Sequence, residues 1–247
     1  MKENKILGIN LTKQSKSDVL EKILLYIDKP TGFFHIVSLN PENLVITTED
    51  ETFKRVVETA QIKIIDGIGV VLAGRWLGVE TGERVTGVGL MEELLKRASD
   101  RRLRVLMIGG KENLAEGLAK CYSEKFPEAK FIGLKGIDDI KNPKKVEEDK
   151  IFSIVATYKP QLVFVAFGSP DQELWIERHK KEFAKCVVMG VGGAFDYLNG
   201  NITRPPVFIQ KLGLEWAFRL VRQPWRWRRQ LRLIRFLLLL IKNKINV

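Results

Sequence analysis

Short apolar runs alternate with helical periodicities along most of this 247-residue chain. Continuous apolar runs predict strands, and apolar positions that recur every three to four residues predict helices. Alternating strands and helices indicate an α/β protein, in which a mostly parallel sheet carries helices on both faces. The predicted strands lie near residues 6–10, 33–39, 62–65, 104–108, 130–134, 162–167 and 187–191. The predicted helices lie near residues 18–26, 41–47, 51–60, 69–76, 87–101, 111–125, 143–158 and 170–179.

The end of the chain has a different character. Residues 216–247 contain nine of the 41 Lys and Arg residues and none of the 30 Asp and Glu residues, which leaves 32 basic and 30 acidic residues in the first 215 positions. We therefore predict an α/β domain at 1–203 and a basic, helical C-terminal appendage at 204–247. On a helix the appendage forms one apolar stripe flanked by arginines. The stripe residues are Leu220, Trp227, Leu231, Ile234, Leu238 and Ile241, and the arginines are Arg228, Arg229, Arg232 and Arg235.

Such an appendage could meet an anionic membrane surface, a nucleic acid or an acidic groove, or could simply pack on its own core. Its longest uncharged run is six residues, at 236–241, whereas a spanning helix needs about twenty. Trp216, Trp225 and Trp227 favour the membrane over nucleic acid, because Trp prefers the headgroup level. No secretory signal is visible at the N-terminus. We expect a cytoplasmic protein that lies peripherally on the inner face of the cell membrane, with a homo-oligomer left open.

Chemistry in parallel sheets gathers at the carboxyl ends of strands. Asp66 follows the run at 62–65 and precedes a glycine, so its carboxylate could act as a general base. The alternative is an N-cap of the next helix. Ser38 and Asn40 end the neighbouring strand and could bind a sugar or a phosphate oxygen. Their alternative role is also capping, because Asn40 precedes a proline and an acidic first turn.

Two glycine-rich turns are further candidates. Gly109 and Gly110 open a helix, where exposed backbone N–H groups suit a phosphate or nucleotide, although tight packing explains them equally well. Gly192 and Gly193 form a second such turn, and Asp196 beyond them could bind ribose hydroxyls or serve only as a helix-start residue. The two histidines and two cysteines show no metal-ligand spacing, so we predict no metal and no cofactor. If the protein is an enzyme that releases a nucleoside diphosphate, Arg84 or arginines of the appendage are candidates to offset its charge.

Several motifs, taken together and in order, resemble the WecG/TagA/CpsF glycosyltransferases. They span nearly the whole chain. The motifs are Ser38-Leu-Asn-Pro-Glu-Asn, Ile65-Asp-Gly, Arg84-Val-Thr-Gly, Gly109-Gly-Lys, Val165-Ala-Phe-Gly-Ser-Pro-x-Gln-Glu-x-Trp, Val191-Gly-Gly-Ala-Phe-Asp-Tyr-Leu-Asn-Gly, Arg204-x-Pro and Gly213-Leu-Glu-Trp-x-x-Arg-Leu-x-x-x-Pro-x-Arg.

The resemblance implies a Rossmann-like core and a metal-independent, inverting UDP-sugar-dependent hexosyltransferase. It implies transfer of N-acetylmannosamine from UDP-N-acetylmannosamine to undecaprenyl-diphosphate-linked N-acetylglucosamine, in teichoic acid linkage-unit synthesis. It further implies Asp66 as the catalytic base, with Ser38 at a position that is usually Thr in the family. The other site residues it implies are Asn40, Arg84, Gln172, Arg219, Arg226 and Arg229.

Other functions remain open from the residues alone. A different UDP-sugar donor, such as UDP-N-acetylmannosaminuronic acid, would fit the same family. A basic nucleic-acid-binding protein would explain the appendage but gives no role to the polar strand ends. A nicotinamide-dependent oxidoreductase would explain a glycine-rich turn, yet the dinucleotide fingerprint is not well formed.

Overall fold

A parallel sheet covered by helices on both faces forms the body of the protein. The computed structural model describes residues 4–110, 113–200, 205–222, 224 and 227–245. The strands are β1 Lys5–Ile6, β2 Ile9–Asn10, β3 Phe34–Leu39, β4 Ile62–Ile65, β5 Arg104–Gly109, β6 Lys130–Leu134, β7 Leu162–Ala166 and β8 Val187–Gly190. The helices are α1 Lys16–Asp28, α2 Pro41–Ile46, α3 Glu51–Thr59, α4 Ile68–Leu77, α5 Gly87–Asp100, α6 Leu114–Lys125, α7 Lys145–Tyr158, α8 Asp171–Arg178, α9 Ala194–Leu198, α10 Val207–Lys211, α11 Glu215–Arg222 and α12 Trp227–Ile245.

The main sheet has six strands in the order β4-β3-β8-β7-β5-β6, and every neighbouring pair is parallel. The predicted α/β class with a mostly parallel, Rossmann-like sheet is therefore confirmed, and so is a helical C-terminal end. This strand order brings the carboxyl ends of β4, β3 and β8 side by side. It separates β5 from β8 by the intervening strand β7.

Both faces of the sheet are buried, which explains why its strands read as continuous apolar runs. In β7, Leu162 and Phe164 face a core shared with helices α1, α5 and α6. Val163 and Val165 point to the opposite face, where they pack with residues of α7 and α8. The alternation follows from the two-residue repeat of side chains along a strand.

Three sequence-based boundaries need correction. The strand predicted at 6–10 is an antiparallel hairpin of β1 and β2 outside the main sheet, because Leu7 and Gly8 both take positive φ and turn the chain back. The helix predicted from residue 111 begins at Leu114, after a positive-φ Asn113. The appendage stripe is not one helix: Leu220 lies in α11, and a new helix starts only after Pro224, whose ring cannot continue an α-helix.

Helix α12 has two apolar faces. Phe236 and Leu240 are 1% and 2% exposed and join the core formed by α2, α3 and α4. Burying each side chain stabilises this packing by about 2 kcal/mol. Two ion pairs flank the contact, from Arg232 to Glu42 and from Arg235 to Glu49, each with an N···O distance of 2.7 Å. The last helix of the appendage is therefore docked on the body.

The predicted stripe lies on the other side of α12 and is exposed. Leu231, Ile234 and Leu238 are between 51% and 62% exposed. No helix in the described ranges is long and apolar enough to cross a membrane. The boundary predicted at 203/204 falls outside the described residues and stays a prediction.

Candidate active site

A cavity of about 770 Å³ opens over the carboxyl ends of β3, β4 and β8 and continues between α4 and the appendage. We call its lining from the strand-end turns and the Arg84 segment the sheet side, and its lining from α4 and residues 205–245 the appendage side. Polar groups of the sheet side are Ser38, Asn40, Glu42, Asn43, Asp66, Arg84, Thr86, Ser169, Gln172 and Glu173. Apolar groups of the appendage side include Leu72, Trp76, Leu212, Leu214, Trp216, Leu220, Leu233, Phe236, Leu237 and Leu240.

Asp66 lies at the end of β4, where its backbone N–H donates to the carbonyl of Leu39 at 2.9 Å. The capping alternative is wrong, because α4 begins at Ile68, its N-cap is Gly67, and no side-chain capping bond is present. The Asp66 carboxylate instead accepts a hydrogen bond from the backbone N–H of Gly87. Its side chain is thus free of a helix-capping role and lines the cavity.

Burial raises the pKa of Asp66 to about 6, and the nearby carboxylate of Glu215 adds to this. The Gly87 hydrogen bond and the Arg84 guanidinium act in the opposite direction. A carboxyl group with a pKa of about 6 is ionised at neutral pH and is a stronger base than an ordinary aspartate. Asp66 is therefore suited to accept a proton from a substrate hydroxyl.

The end of β3 contributes Ser38 and Asn40 to the same cavity. The Asn40 side chain accepts from the backbone N–H of Asn43 at 2.9 Å, so the predicted cap of α2 is confirmed. A β-carbon on Gly87 would lie 3.3 Å from the Ser38 hydroxyl oxygen and 3.8 Å from an Asp66 carboxylate oxygen. Gly87, the last residue of the Arg84-Val-Thr-Gly motif, thus leaves room for Ser38 and Asp66 to converge.

Asn43 is a cavity residue that the sequence analysis did not single out. Its amide donates to the carbonyl of Ser38 at 2.8 Å and accepts from the Ser169 hydroxyl at 3.0 Å. It therefore ties the turn after β3 to the turn after β7. Its position as the last residue of the Asn-Pro-Glu-Asn string was the available signal, because a polar residue in the first turn of a buried helix needs internal partners.

Arg84 is fixed by three hydrogen bonds. Its Nε donates to the backbone carbonyl of Asp66 at 2.9 Å, its Nη1 to the carbonyl of Gln210 at 2.9 Å, and its Nη2 to the carboxylate of Glu215 at 3.1 Å. Among the lining residues within the described ranges, Arg84 is the one cation, whereas Glu42, Asp66, Glu173 and Glu215 are acidic. Its guanidinium links the turn of Asp66 to the appendage.

Gln172 is 4% exposed and joins two glycine turns. Its side-chain oxygen accepts from the N–H groups of Gly168 and Gly192, both at 3.0 Å. Its amide nitrogen donates to Glu173 at 2.7 Å, which fixes the orientation of the amide. The side chain therefore shapes the cavity from behind, and its binding to substrate stays a prediction.

Glu173 is a further residue that the sequence analysis missed. It is 1% exposed, and one of its carboxyl oxygens has no hydrogen-bond partner within the described part of the chain. Burial raises its pKa to about 7, against the effect of the Gln172 hydrogen bond. An acidic residue in the first turn of a helix is usually an exposed charge, so the position of Glu173 next to Gln172 did not predict its burial.

The two glycine turns differ in position. Gly192 and Gly193 line the cavity, but Gly109 and Gly110 do not. A β-carbon on Gly109 would lie 2.8 Å from the ring of Phe167, and one on Gly110 would lie 3.1 Å from Leu114. The tight-packing alternative explains both glycines of the β5 turn, and substrate binding there stays a prediction.

Some predicted residues are not brought together here. Asp196 lies in the first turn of α9 and is not among the cavity-lining residues. Arg226, like Arg204 and Lys111, lies outside the described residues, and so do the side chains of Arg219 and Arg229. Within the described ranges, the His, Cys, Asp and Glu side chains form no cluster of three or more that could hold a metal ion.

Comparison with known proteins adds the chemical class. A family model described as the glycosyl transferase WecG/TagA/CpsF family matches residues 4–247. One relative, the N-acetylglucosaminyldiphosphoundecaprenol N-acetyl-beta-D-mannosaminyltransferase of Bacillus subtilis (strain 168), is 32% identical over 238 residues, which is 96% of this chain and 90% of the relative.

Proteins with the same name from two other bacteria are also similar. The one from Bacillus spizizenii (strain ATCC 23059 / NRRL B-14472 / W23) is 33% identical and covers 89% of this chain and 82% of its own length. The one from Staphylococcus aureus (strain NCTC 8325 / PS 47) is 30% identical and covers 87% of this chain and 82% of its own length.

Proposed function

This chain belongs to the WecG/TagA/CpsF family of glycosyltransferases, and on that premise we propose that it transfers N-acetylmannosamine from UDP-N-acetylmannosamine to undecaprenyl-diphosphate-linked N-acetylglucosamine, in teichoic acid linkage-unit synthesis. The relatives named for this acceptor and this sugar support the proposal. The observation that carries it is the carboxylate of Asp66, which lies in a cavity with a polar sheet side and an apolar appendage side.

Asp66 acts as the general base. It takes the proton of the acceptor hydroxyl while the hydroxyl oxygen forms a bond to the anomeric carbon of the donor. The bond from that carbon to the diphosphate breaks, and its electron pair leaves with UDP. Attack from the face opposite UDP inverts the anomeric centre, and this needs one carboxylate rather than the pair used by retaining hydrolases. The product linkage then has the opposite anomeric configuration to the donor.

The departing diphosphate needs positive charge and hydrogen-bond donors. The backbone N–H of Gly193 is a donor beside the cavity, whereas the N–H of Gly192 is already bonded to Gln172. Arg84 is already shared with Glu215, and the described lining carries more acidic than basic groups. This imbalance supports a contribution from the appendage arginines Arg219, Arg226 and Arg229 when the donor binds.

The same charge balance bears on the choice of donor. A uronic acid donor would bring an extra carboxylate into a lining whose described acidic groups are Glu42, Asp66, Glu173 and Glu215. Like charges at short range repel strongly when they are partly desolvated. An uncharged sugar such as N-acetylmannosamine fits this lining better than its uronic acid.

The apolar appendage side suits the hydrocarbon of a lipid-linked acceptor. Leu72 and Trp76 of α4, together with Leu214 and Trp216, are between 42% and 54% exposed. The outer face of α12 adds the exposed stripe described above. Exposed apolar side chains on a basic helical segment are typical of a protein that lies on an anionic membrane. The acceptor would then enter from the bilayer, with its diphosphate near the basic residues.

The direct test is a panel of UDP-sugars with a short-chain lipid-diphosphate N-acetylglucosamine acceptor, in which the glycolipid product and UDP are both measured. We expect transfer from UDP-N-acetylmannosamine, little from its uronic acid, and an unchanged rate in EDTA. An Asp66→Asn enzyme is the matched control for non-enzymatic turnover. Lack of transfer from every donor would refute the proposed function.

Membrane association has its own test. Flotation with vesicles that contain anionic lipid should carry the protein upward, and uncharged vesicles should carry less. Equal binding to both kinds of vesicle would show that the basic residues do not drive membrane binding.

A further inference from the structure

The side chain of Glu215 in α11 links the appendage to the turn of Asp66 through Arg84. We propose that Glu215 is a positioning residue, which holds Arg84 against the Asp66 turn. The base strength of Asp66 then depends on whether the appendage is docked on this turn, an arrangement that we call its seat. The inference rests on the proposed function for the role of Asp66 as base. The coupling between α11 and the Asp66 carboxyl can itself be measured on the substrate-free protein.

The first observation is the shared guanidinium of Arg84. One Arg84 nitrogen binds the backbone carbonyl of Asp66, and the others bind Gln210 and Glu215 of the appendage, at 2.9 to 3.1 Å. The Arg84 and Glu215 side chains are only 19% and 27% exposed. Charge-assisted bonds in such a partly buried place are stronger than surface ion pairs. Removing Glu215 leaves an Arg84 nitrogen without its carboxylate partner.

The second observation concerns the backbone around Arg84. The residue forms a parallel bridge with Ile65, and the N–H of Val85 donates to the Ile65 carbonyl at 2.9 Å. Two residues further on, the Gly87 N–H donates to the Asp66 carboxylate. The segment from Arg84 to Gly87 therefore contacts Asp66 on both its backbone and its side chain. A shift of Arg84 would therefore also move the Asp66 backbone and the groups that contact its carboxylate.

The third observation is a second contact between the appendage and the same turn. Gly213 is buried, takes a φ of +72°, and packs on Ile68 so closely that a β-carbon would collide with that side chain. Ile68 is two residues from Asp66. The turn between α10 and α11 thus fits against the start of α4, while Glu215 reaches Arg84. Two adjacent contacts define one seat for the appendage.

The seat also changes the charge around Asp66. The Glu215 carboxylate raises the pKa of Asp66, and the Arg84 guanidinium lowers it. The other ionisable groups of the described lining are Glu42 and Glu173. When the appendage leaves its seat, Asp66 loses the Glu215 charge and Arg84 loses its carboxylate partner. Both changes lower the pKa of Asp66 and make it a weaker base.

Two substitutions at one position separate the charge from the tether. Glu215→Gln removes the negative charge but keeps an oxygen that accepts from Arg84, whereas Glu215→Ala removes both. The matched control is Glu49→Gln, which breaks the ion pair with Arg235. That pair also joins the appendage to the body, but neither residue lines the cavity.

The first measurement is the pH titration of the Asp66 carboxyl by carbon-13 NMR of the substrate-free protein, with the signal assigned by its loss in Asp66→Asn. We expect the midpoint to fall by roughly one pH unit in Glu215→Gln and to stay unchanged in Glu49→Gln. An equal midpoint in the wild type, Glu215→Gln and Glu215→Ala would overturn the inference.

The second measurement is hydrogen exchange of the α11 amides. We expect faster exchange in Glu215→Ala and near wild-type exchange in Glu215→Gln, because only the first variant loses the tether. Unchanged exchange in Glu215→Ala would show that Glu215 does not hold the appendage and would also overturn the inference.

Kinetics then distinguish this inference from the proposed function. For Glu215→Ala we expect kcat to fall by up to about 10²-fold, and for Glu215→Gln we expect a smaller fall, because the base is weaker while the tether to Arg84 is kept. If no donor is used while the midpoint and exchange shift as expected, the proposed function fails and the coupling stands. If transfer is normal and neither observable moves, the coupling alone fails.

Discussion

The two sides of the cavity are built in different ways. The sheet side comes from turns after parallel strands, where hydrogen bonds fix the strand ends: Asn43 donates to Ser38, Gln172 accepts from Gly168, and Gly87 donates to Asp66. The appendage side comes from helices that carry large exposed apolar residues such as Trp216 and Leu237. A reacting group needs a fixed position, whereas a surface that receives a lipid needs exposure. The difference indicates that chemistry belongs to the sheet and delivery of the acceptor to the appendage.

The sharpest test of this division is Asp66→Asn. Loss of a general base should lower the transfer rate by about 10²- to 10⁴-fold. Stability should not fall, because an amide avoids the burial of charge that raises the pKa of Asp66. Transfer assays and thermal unfolding measure the two effects. Asp149→Asn, at an exposed ion pair on α7, is the control; an Asp66→Asn rate within tenfold of wild type would contradict the account.

A second test uses the two faces of α12. Phe236→Ala should cost about 3 to 5 kcal/mol of unfolding free energy, since it removes a ring that is 1% exposed. Leu238→Ala, on the 62% exposed face, should leave stability within about 0.5 kcal/mol but weaken vesicle binding. Denaturant unfolding and vesicle flotation measure the pair. The reverse pattern would mean that the wrong face is docked on the body.

The third test concerns the link between glycine turns on the sheet side. Gln172→Leu removes the oxygen that accepts from Gly168 and Gly192, so both N–H groups lose their partner. We expect a loss of about 1 to 3 kcal/mol in unfolding free energy and a higher KM for the donor. Gln161→Leu, whose oxygen accepts from the N–H of Arg104 at 2.9 Å, is a control away from the cavity. An unchanged KM for the donor in Gln172→Leu would show that these turns do not contribute to donor binding.

The last test is a pH dependence of stability. The Asp66 carboxyl ionises near pH 3.8 when unfolded and near pH 6 when folded. The folded state therefore binds the proton more tightly, and the wild type loses stability as the pH rises from about 4 to about 6. Asp66→Asn lacks this loss, so its unfolding free energy relative to wild type should increase across that window. Denaturant unfolding at pH 4, 5, 6 and 7 measures the difference, and a constant difference would contradict the raised pKa.

Much of the sheet side could be predicted from the sequence. Apolar runs locate the strands, and parallel strands bring their carboxyl ends to one edge. Asp66, Ser38, Asn40 and Gly192 consequently meet as expected. Gly109 carried a similar signal, yet it packs on Phe167 away from the cavity. The order of strands in the sheet determines which glycine turn lies at the cavity, and local sequence patterns do not predict that order.

The appendage was harder to predict. The run at 236–241 is apolar on every side of a helix, so periodicity could not indicate that Phe236 and Leu240 face the body. Glu215 and Glu173 look like solvated helix charges. The partner of Glu215 is Arg84, which is 131 residues away in sequence. Long-range pairing of charges depends on the tertiary fold, which leaves no trace in residue spacing.

The pH dependence of kcat/KM tests the central claim that Asp66 is the base. A carboxyl that must be ionised gives an activity that rises with pH, and its midpoint should lie at about 6. Glu173→Gln should keep this midpoint, which separates Asp66 from the other buried carboxyl, whose pKa is about 7. A profile that is flat from pH 5 to pH 8, or the same midpoint in the residual activity of Asp66→Asn, would contradict the account.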